Sequence, residues 1–167
     1  MQRAGSLRGS RQRLIPFLLT AALVLAADQL SKLWIRSHLL LGQSMPGEGW
    51  LRLTYVNNSG GIFGLVAPNF LWLVLSTLAM IAALFLYHRY LSCHQLTMKV
   101  AAAMLCSGGI SNLADRLSTG HVTDFIDLQL GNSFHWPTFN LADCAIVAGV
   151  ALLGYFLFFQ RNQPQPG

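Results

Sequence analysis

The sequence predicts an all-α membrane protein built on four transmembrane helices, and three observations carry that reading. Of its 167 residues, 53% are hydrophobic and only 10% charged, where soluble domains carry about 25% charged residues. Four apolar segments, at about 14–34, 70–87, 96–114 and 139–159, are each close to the roughly 20 residues an α-helix needs to cross the hydrocarbon core. The basic residues collect on one side of the bilayer that those spans imply.

The chain opens with MQRAGSLRGSRQR, where Arg3, Arg8, Arg11 and Arg13 alternate with small polar residues. This segment has no apolar face and is expected to be a flexible cytoplasmic tail. Its charge alone would also suit nucleic acid, but the apolar run directly after it favours the membrane. The first span, 14–34, competes with a cleavable signal peptide, which four arginines, an apolar run and Ala26-Ala27 imitate. Against that, the run continues into Asp28 and Lys32, an i,i+4 pair whose opposite charges meet on one helix face. A discarded helix has little use for such a pair.

Between the first two spans, Trp50 to Val56 is aromatic and β-branched and predicts a short strand, and Asn57-Asn58-Ser59-Gly60-Gly61 supplies turn chemistry. From the residues alone, Asn58 is more simply a turn residue than a site residue. The second span, 70–87, carries no charge. In the third, Ala101, Ala102, Ala103, Ser107, Gly108 and Gly109 predict close helix packing at the centre of the bundle. The fourth begins just after Pro137, which suits a helix entry.

With the N-terminus inside, Arg3, Arg8, Arg11, Arg13, Arg89, Lys99 and Arg161, seven of the eleven basic residues, are cytoplasmic. All six acidic residues, Asp28, Glu48, Asp115, Asp124, Asp127 and Asp143, then fall at or beyond the outer half of the membrane. Four of them lie between Ser107 and Cys144, the stretch the rest of the chain is arranged to hold. Asn112, Asp115 and Arg116 share one face at the outer end of the third helix, and Asn140 and Asp143 are one turn apart at the outer end of the fourth. Asp124 and Asp127 come from the connection between them, expected to be a loop from Gly120 to Phe134 that moves over the site. Ionisable groups at membrane depth point to function; the plainer reading is a polar staple in which Arg116 pairs with Asp115 or Asp143.

Two carboxylates in a partly dry site share one proton, so that the ionised member can activate water while the protonated member polarises a carbonyl. That chemistry is aspartic peptide hydrolysis. GxSxG and HExxH motifs are missing from the sequence. Cys93, Cys106 and Cys144 form no CxxC pair, so neither a disulfide framework nor a structural metal is expected. Cys144 beside Asp143 is read as a packing residue, because adjacent helical side chains point apart.

Five blocks carry a resemblance to the bacterial lipoprotein signal peptidase (signal peptidase II) family: Asp28-Gln29-Leu30-Ser31-Lys32, Asn58-Ser59-Gly60-Gly61-Ile62-Phe63, Gly108 to Arg116, Gly120 to Phe125 and Phe139 to Asp143. They follow the family's order and cover most of the chain from Asp28 to Leu153. The resemblance implies a catalytic dyad of Asp124 and Asp143. It places Asn58, Gly60, Asn112, Arg116 and Asn140 around the site, with Asp115 as a structural partner. It also implies a small outer-face β cradle, no cofactor and no metal. The implied substrate is a diacylglyceryl prolipoprotein cut just before its lipidated cysteine, in the bacterial cytoplasmic membrane with both termini inside. Membrane lipid is an expected partner, nucleic acid is not, and a monomer is expected. The family usually has two alanines where Gly61 and Ile62 stand and a glycine where Ser111 stands, departures expected to reshape the substrate groove. A proton-linked transporter or assembly subunit is the alternative from another class. A zinc variant using His121, His135, Asp124 and Asp143 is the alternative within enzymes.

Overall fold

The computed structural model describes residues 2–59, 96–129 and 135–160. The expected second span at 70–87 lies outside them, as do Gly60, Gly61 and Ile62. In chain order the elements are α1 (Gln2–His38), β1 (Ser44–Met45), β2 (Leu51–Asn58), α2 (Leu96–Thr119), β3 (Val122–Gln129), β4 (His135–Phe139) and α3 (Leu141–Tyr155), which ends in a π-helical turn at Phe156–Gln160.

Helix α1 has 37 residues and is therefore roughly 55 Å long. It begins at Gln2, so the basic segment expected to be an irregular tail is continuous with the first apolar span. The Ala, Leu, Arg and Gln residues of that segment are good helix formers, and extending an existing helix avoids the cost of nucleation. Among the described residues, α1 over Leu14–His38 is the one helix both long and apolar enough to cross a membrane by itself. Its side chains sort in the reverse of a soluble protein. Leu18, Leu19, Leu23, Leu30 and Leu33 are exposed, while Asp28 and Lys32 are completely buried. That inversion suits lipid as the surrounding solvent, with the charged groups turned to the bundle interior.

Helix α2 packs between α1 and α3, as its small residues predict. Ala101, Ala102, Ala103, Ser107 and Gly108 are all buried. The crossing is close because of glycine. A Cβ on Gly108 would stand 2.6 Å from the Ala142 carbonyl oxygen, and one on Gly149 would stand 2.9 Å from Leu105 Cγ. Leu105 and Cys106 form an apolar cluster with Phe17, Ile146 and Leu153 between the helices.

The four strands form one antiparallel sheet in the order β1-β2-β3-β4. The expected strand at Trp50 to Val56 is present as β2, extended so that Asn57 and Asn58 lie in the strand instead of a turn. The connection expected to be a mobile loop from Gly120 to Phe134 is largely β3, a central strand with Val122 to Phe125 and Asp127 buried. Its polar residues disguised it, because burial on both sides removes the apolar/polar alternation that marks a half-exposed strand. Pro137 does not open a helix; it sits in β4, an edge strand, where a missing amide hydrogen is tolerated. Ile35, Leu39 and Phe125 make a second apolar cluster that seats the sheet on the end of α1.

Candidate active site

Helix α2 ends where Gly120, at φ 80°, takes the left-handed conformation and donates its N–H to the Arg116 carbonyl at 3.0 Å. This turn reverses the chain within two residues and starts β3 beside the end of α2. Asp115 completes the junction by accepting the Thr123 N–H at 3.1 Å. Asp124, the next residue, is thereby aimed towards α3. On β2, Asn58 lies diagonal to Asp124 in the antiparallel register, which pairs Val56 with Asp124 and Asn58 with Val122.

Helix α3 starts with a reciprocal cap. The Asn140 Oδ1 accepts the Asp143 N–H at 2.9 Å, and Asp143 Oδ2 accepts the Asn140 N–H at 3.3 Å. A second first-turn amide, Ala142 N–H, donates to Asp28 Oδ1 of α1 at 2.8 Å. Two side chains from different elements thus hold the turn that carries Asp143.

These elements bring both aspartates into one hydrogen-bonded group. Asp124 accepts from Asn140 Nδ2 at 2.7 Å through Oδ1 and from Asn58 Nδ2 at 2.8 Å through Oδ2. Asp143 Oδ1 accepts from Asn112 Nδ2 at 2.8 Å. Asn140 contacts both aspartates, and its Nδ2 also reaches Asn112 Oδ1 at 3.2 Å. The Arg116 charge acts on Asp143 and Asp124 from the end of α2. Burial, reinforced by the negative charge of Asp143, pushes Asp124 up to about 7, against the hydrogen bonds from Asn58 and Asn140. Asp124 therefore holds or yields a proton near neutral pH.

The structure thus gathers Asp124, Asp143, Asn58, Asn112 and Asn140, with Arg116 beside them; Gly60 lies outside the described residues. Asp115 is set behind them and pairs with α1, with Lys32 Nζ at 3.0 Å and Arg36 Nη2 at 2.8 Å. A staple between helices is present at Asp115, with Lys32 and Arg36 of α1 as its cations. Lys32 and Asp28, noted in the sequence only as partners of each other and 2.6 Å apart in the fold, each also reach a residue of the site or its cap. Their helical spacing from one another was visible; their tertiary targets on α2 and α3 were not.

Two other expectations change. Ser111 does not line a groove; it is fully buried between α1 and α2, donating to Asp28 Oδ2 at 2.7 Å and accepting from Gln29 Nε2 at 2.8 Å. Asp127 is not a loop residue. It is 1% exposed and accepts from Arg52 Nε and Nη2 at 3.0 and 2.6 Å and from Thr54 Oγ1 at 2.7 Å. Its other oxygen lies 2.6 Å from His135 Nε2. His135, which the zinc alternative placed with the dyad, belongs to that cluster in the sheet. Among the described residues no three His, Cys, Asp or Glu side chains converge as metal ligands would. Cys144 is exposed.

A polar centre of paired acids and amides inside a helical bundle, capped by a small sheet, has the form of a membrane peptidase. Two solved structures titled as a bacterial membrane enzyme share the architecture. One has TM-score 0.73 and 26% identity over 90% of this chain and 92% of that one. The other has TM-score 0.72 and 28% identity over 86% and 92%. The sequence profile described as Signal peptidase (SPase) II matches residues 20–159. The lipoprotein signal peptidase of Moorella thermoacetica is 43% identical over 150 residues, 89% of this chain and 97% of that protein. That of Syntrophus aciditrophicus is 39% identical over 149 residues, covering 86% and 92%. The chain belongs to the signal peptidase II family.

Proposed function

We propose that this membrane peptidase removes signal peptides from diacylglyceryl-modified prolipoproteins, cutting just before the lipidated cysteine, with Asp124 and Asp143 as its catalytic pair. The observation that carries the reading is the shared anchoring by Asn140 of two carboxylates, Asp143 half-buried and Asp124 fully buried, the latter with a proton affinity matched to neutral pH. In this reading the chain crosses a bacterial inner membrane four times, with both termini in the cytoplasm and the pair near the outer face, where a lipid-anchored peptide presents its cleavage site. The charge asymmetry of the sequence supports that orientation.

The reaction needs one proton on the pair. The Asp143 carboxylate takes a proton from water as its oxygen attacks the scissile carbonyl carbon. The protonated Asp124 gives its proton to the carbonyl oxygen, and a tetrahedral diol forms. Asp143 then delivers its proton to the amide nitrogen as the C–N bond breaks, and Asp124 recovers a proton from the collapsing diol. Asn58, Asn112 and Asn140 donate to the carboxylates and hold them in register, while Arg116 offsets the charge of the pair. The purified protein, incubated with a diacylglyceryl prolipoprotein, should release the signal peptide, and Asp124→Asn and Asp143→Asn should each abolish release. Because the two act as a unit, the double variant should be scarcely worse than either single one. Near-normal turnover by Asp143→Asn would overturn the mechanism.

A further inference from the structure

Lys32 is a lysine with no exposed surface. Its ammonium has three protons and three acceptors: Asp28 Oδ2 at 2.6 Å, Asn112 Oδ1 at 2.9 Å and Asp115 Oδ2 at 3.0 Å. Two of those contacts are ion pairs. The third is to a side chain that itself touches the catalytic pair. We propose that Lys32 is a positioning residue for the dyad, fixing the orientation of the Asn112 amide so that its Nδ2–H is aimed at Asp143.

Donors and acceptors decide that orientation. An asparagine amide can rotate by half a turn with little change of shape, exchanging a donor for an acceptor. A lysine ammonium can only donate, so the atom of Asn112 facing it must be the oxygen. That choice leaves Nδ2 on the opposite side, 2.8 Å from Asp143 Oδ1. The longer contact from Asn140 Nδ2 at 3.2 Å agrees with this orientation but is weaker. A staple between helices does not need a buried cation, since apolar residues of similar volume replace buried ion pairs at no loss of stability in many proteins. The third contact gives the cation a purpose that apolar packing would not serve.

The charged groups around Lys32 come from every neighbouring element: Asp28 and Arg36 on α1, Asp115 and Arg116 on α2, Asp124 on β3 and Asp143 on α3. Arg36 holds the second oxygen of Asp115, so Asp115 stays paired when Lys32 is removed. Asp28 does not. The test is therefore made in a background where position 28 is neutral, comparing Asp28→Asn with Asp28→Asn/Lys32→Met; the single oxygen of the introduced amide faces Lys32 in the first and is free to accept the Ala142 N–H in the second, so any loss of the cap weighs on the background and not on the double variant. Lys32 also favours the ionised form of Asp124, so its loss moves the Asp124 titration to higher pH.

This inference rests on the assignment of the dyad. On diacylglyceryl prolipoprotein, the double variant should lose at least about tenfold in kcat relative to Asp28→Asn with KM little changed. The basic limb of its pH profile should rise by about one unit. The same titration is read without turnover from the infrared carbonyl band of protonated Asp124, so inactivity of the Asp28→Asn background does not silence the experiment. An unmoved titration, or a loss confined to KM or thermal stability, overturns the role of Lys32. Asp143→Asn is assayed alongside: if it still cleaves, the dyad assignment itself fails, whereas an inert Asp143→Asn with an unmoved Lys32 variant sinks only this inference.

Discussion

Replacing Asp124 by asparagine is expected to abolish cleavage and to make the folded protein more stable. In the folded state burial and the charge of Asp143 raise this carboxyl from 3.8 to about 7. A group whose folded pKa lies above its unfolded value contributes its full stability below the unfolded pKa and loses it as pH rises through the folded one. Between pH 3.8 and about 7 the native state holds a proton that the unfolded chain has released, so stability falls by about 1.4 kcal/mol per pH unit. Across the interval the sum is about 4 kcal/mol, an upper value because the titration is shared with Asp143. Asparagine keeps the size of the side chain and carries no charge to desolvate, but it offers one oxygen where Asp124 offers one each to the Asn140 and Asn58 amides, so one of those amides loses its acceptor. Thermal unfolding in detergent micelles, scanned by pH, should show Asp124→Asn no more stable than wild type near the unfolded pKa of 3.8, where the lost acceptor is not offset. The advantage of the variant should grow up to about pH 7 and then level off. A variant less stable than wild type at about pH 8, or an advantage independent of pH, would refute the argument that the fold bears a strained carboxyl for the sake of the reaction.

Other perturbations follow from the same geometry. Asn58→Ala removes a donor from Asp124 Oδ2 and should move the basic limb of the kcat profile up by about one unit, measured by gel-shift of a prolipoprotein across pH. Gly108→Ala puts a methyl 2.6 Å from the Ala142 carbonyl, in the turn that presents Asp143; overpacking should cost about 1–3 kcal/mol, and misplacement should cost roughly tenfold or more in kcat. Asp127→Asn leaves Arg52, 15% exposed, facing a neutral amide, and should weaken the sheet by about 2–3 kcal/mol, seen as faster hydrogen exchange in β2 and β3. For Asp127, burial works to raise the pKa, but the Thr54 hydrogen bond and the Arg52 and His135 partners bring it below the usual carboxylate range. Its stabilisation is present above the ordinary carboxylate pKa and lost as pH falls through the depressed folded value, so the gap between wild type and Asp127→Asn should begin to close below about pH 4 and narrow further on acidification.

Asp127 thus behaves in the reverse of what its place in the sequence suggests. There it is one more acid in a polar connection, three residues from Asp124. In the fold it lies opposite Arg52 in the antiparallel register, and the pairing of strands separated by some seventy residues, Arg52 with Asp127 and Thr54 with Asp127, makes it a buried tie. Ser111 illustrates the same limit, since its facing residues, Asp28 and Gln29, come from another helix.

What the sequence determined by itself was periodic or local. The apolar runs marked the helices of α1, α2 and α3, because lipid demands long uninterrupted apolar segments whatever their partners. The small residues of α2 marked the tight crossing, and the i,i+3 and i,i+4 spacings put Asp28 with Lys32, Asn112 with Arg116 and Asn140 with Asp143. Acids concentrated at membrane depth marked the site, since such groups are too costly to keep without use. Tertiary structure alone decided how these local units meet. Only folding brings Asn58 to Asp124, Asp28 to the first turn of α3 and Lys32 to Asn112, and only burial beside Asp143 pushes Asp124 to about 7. Hydrogen bonds and desolvation depend on distances across the chain, and no spacing along it encodes them.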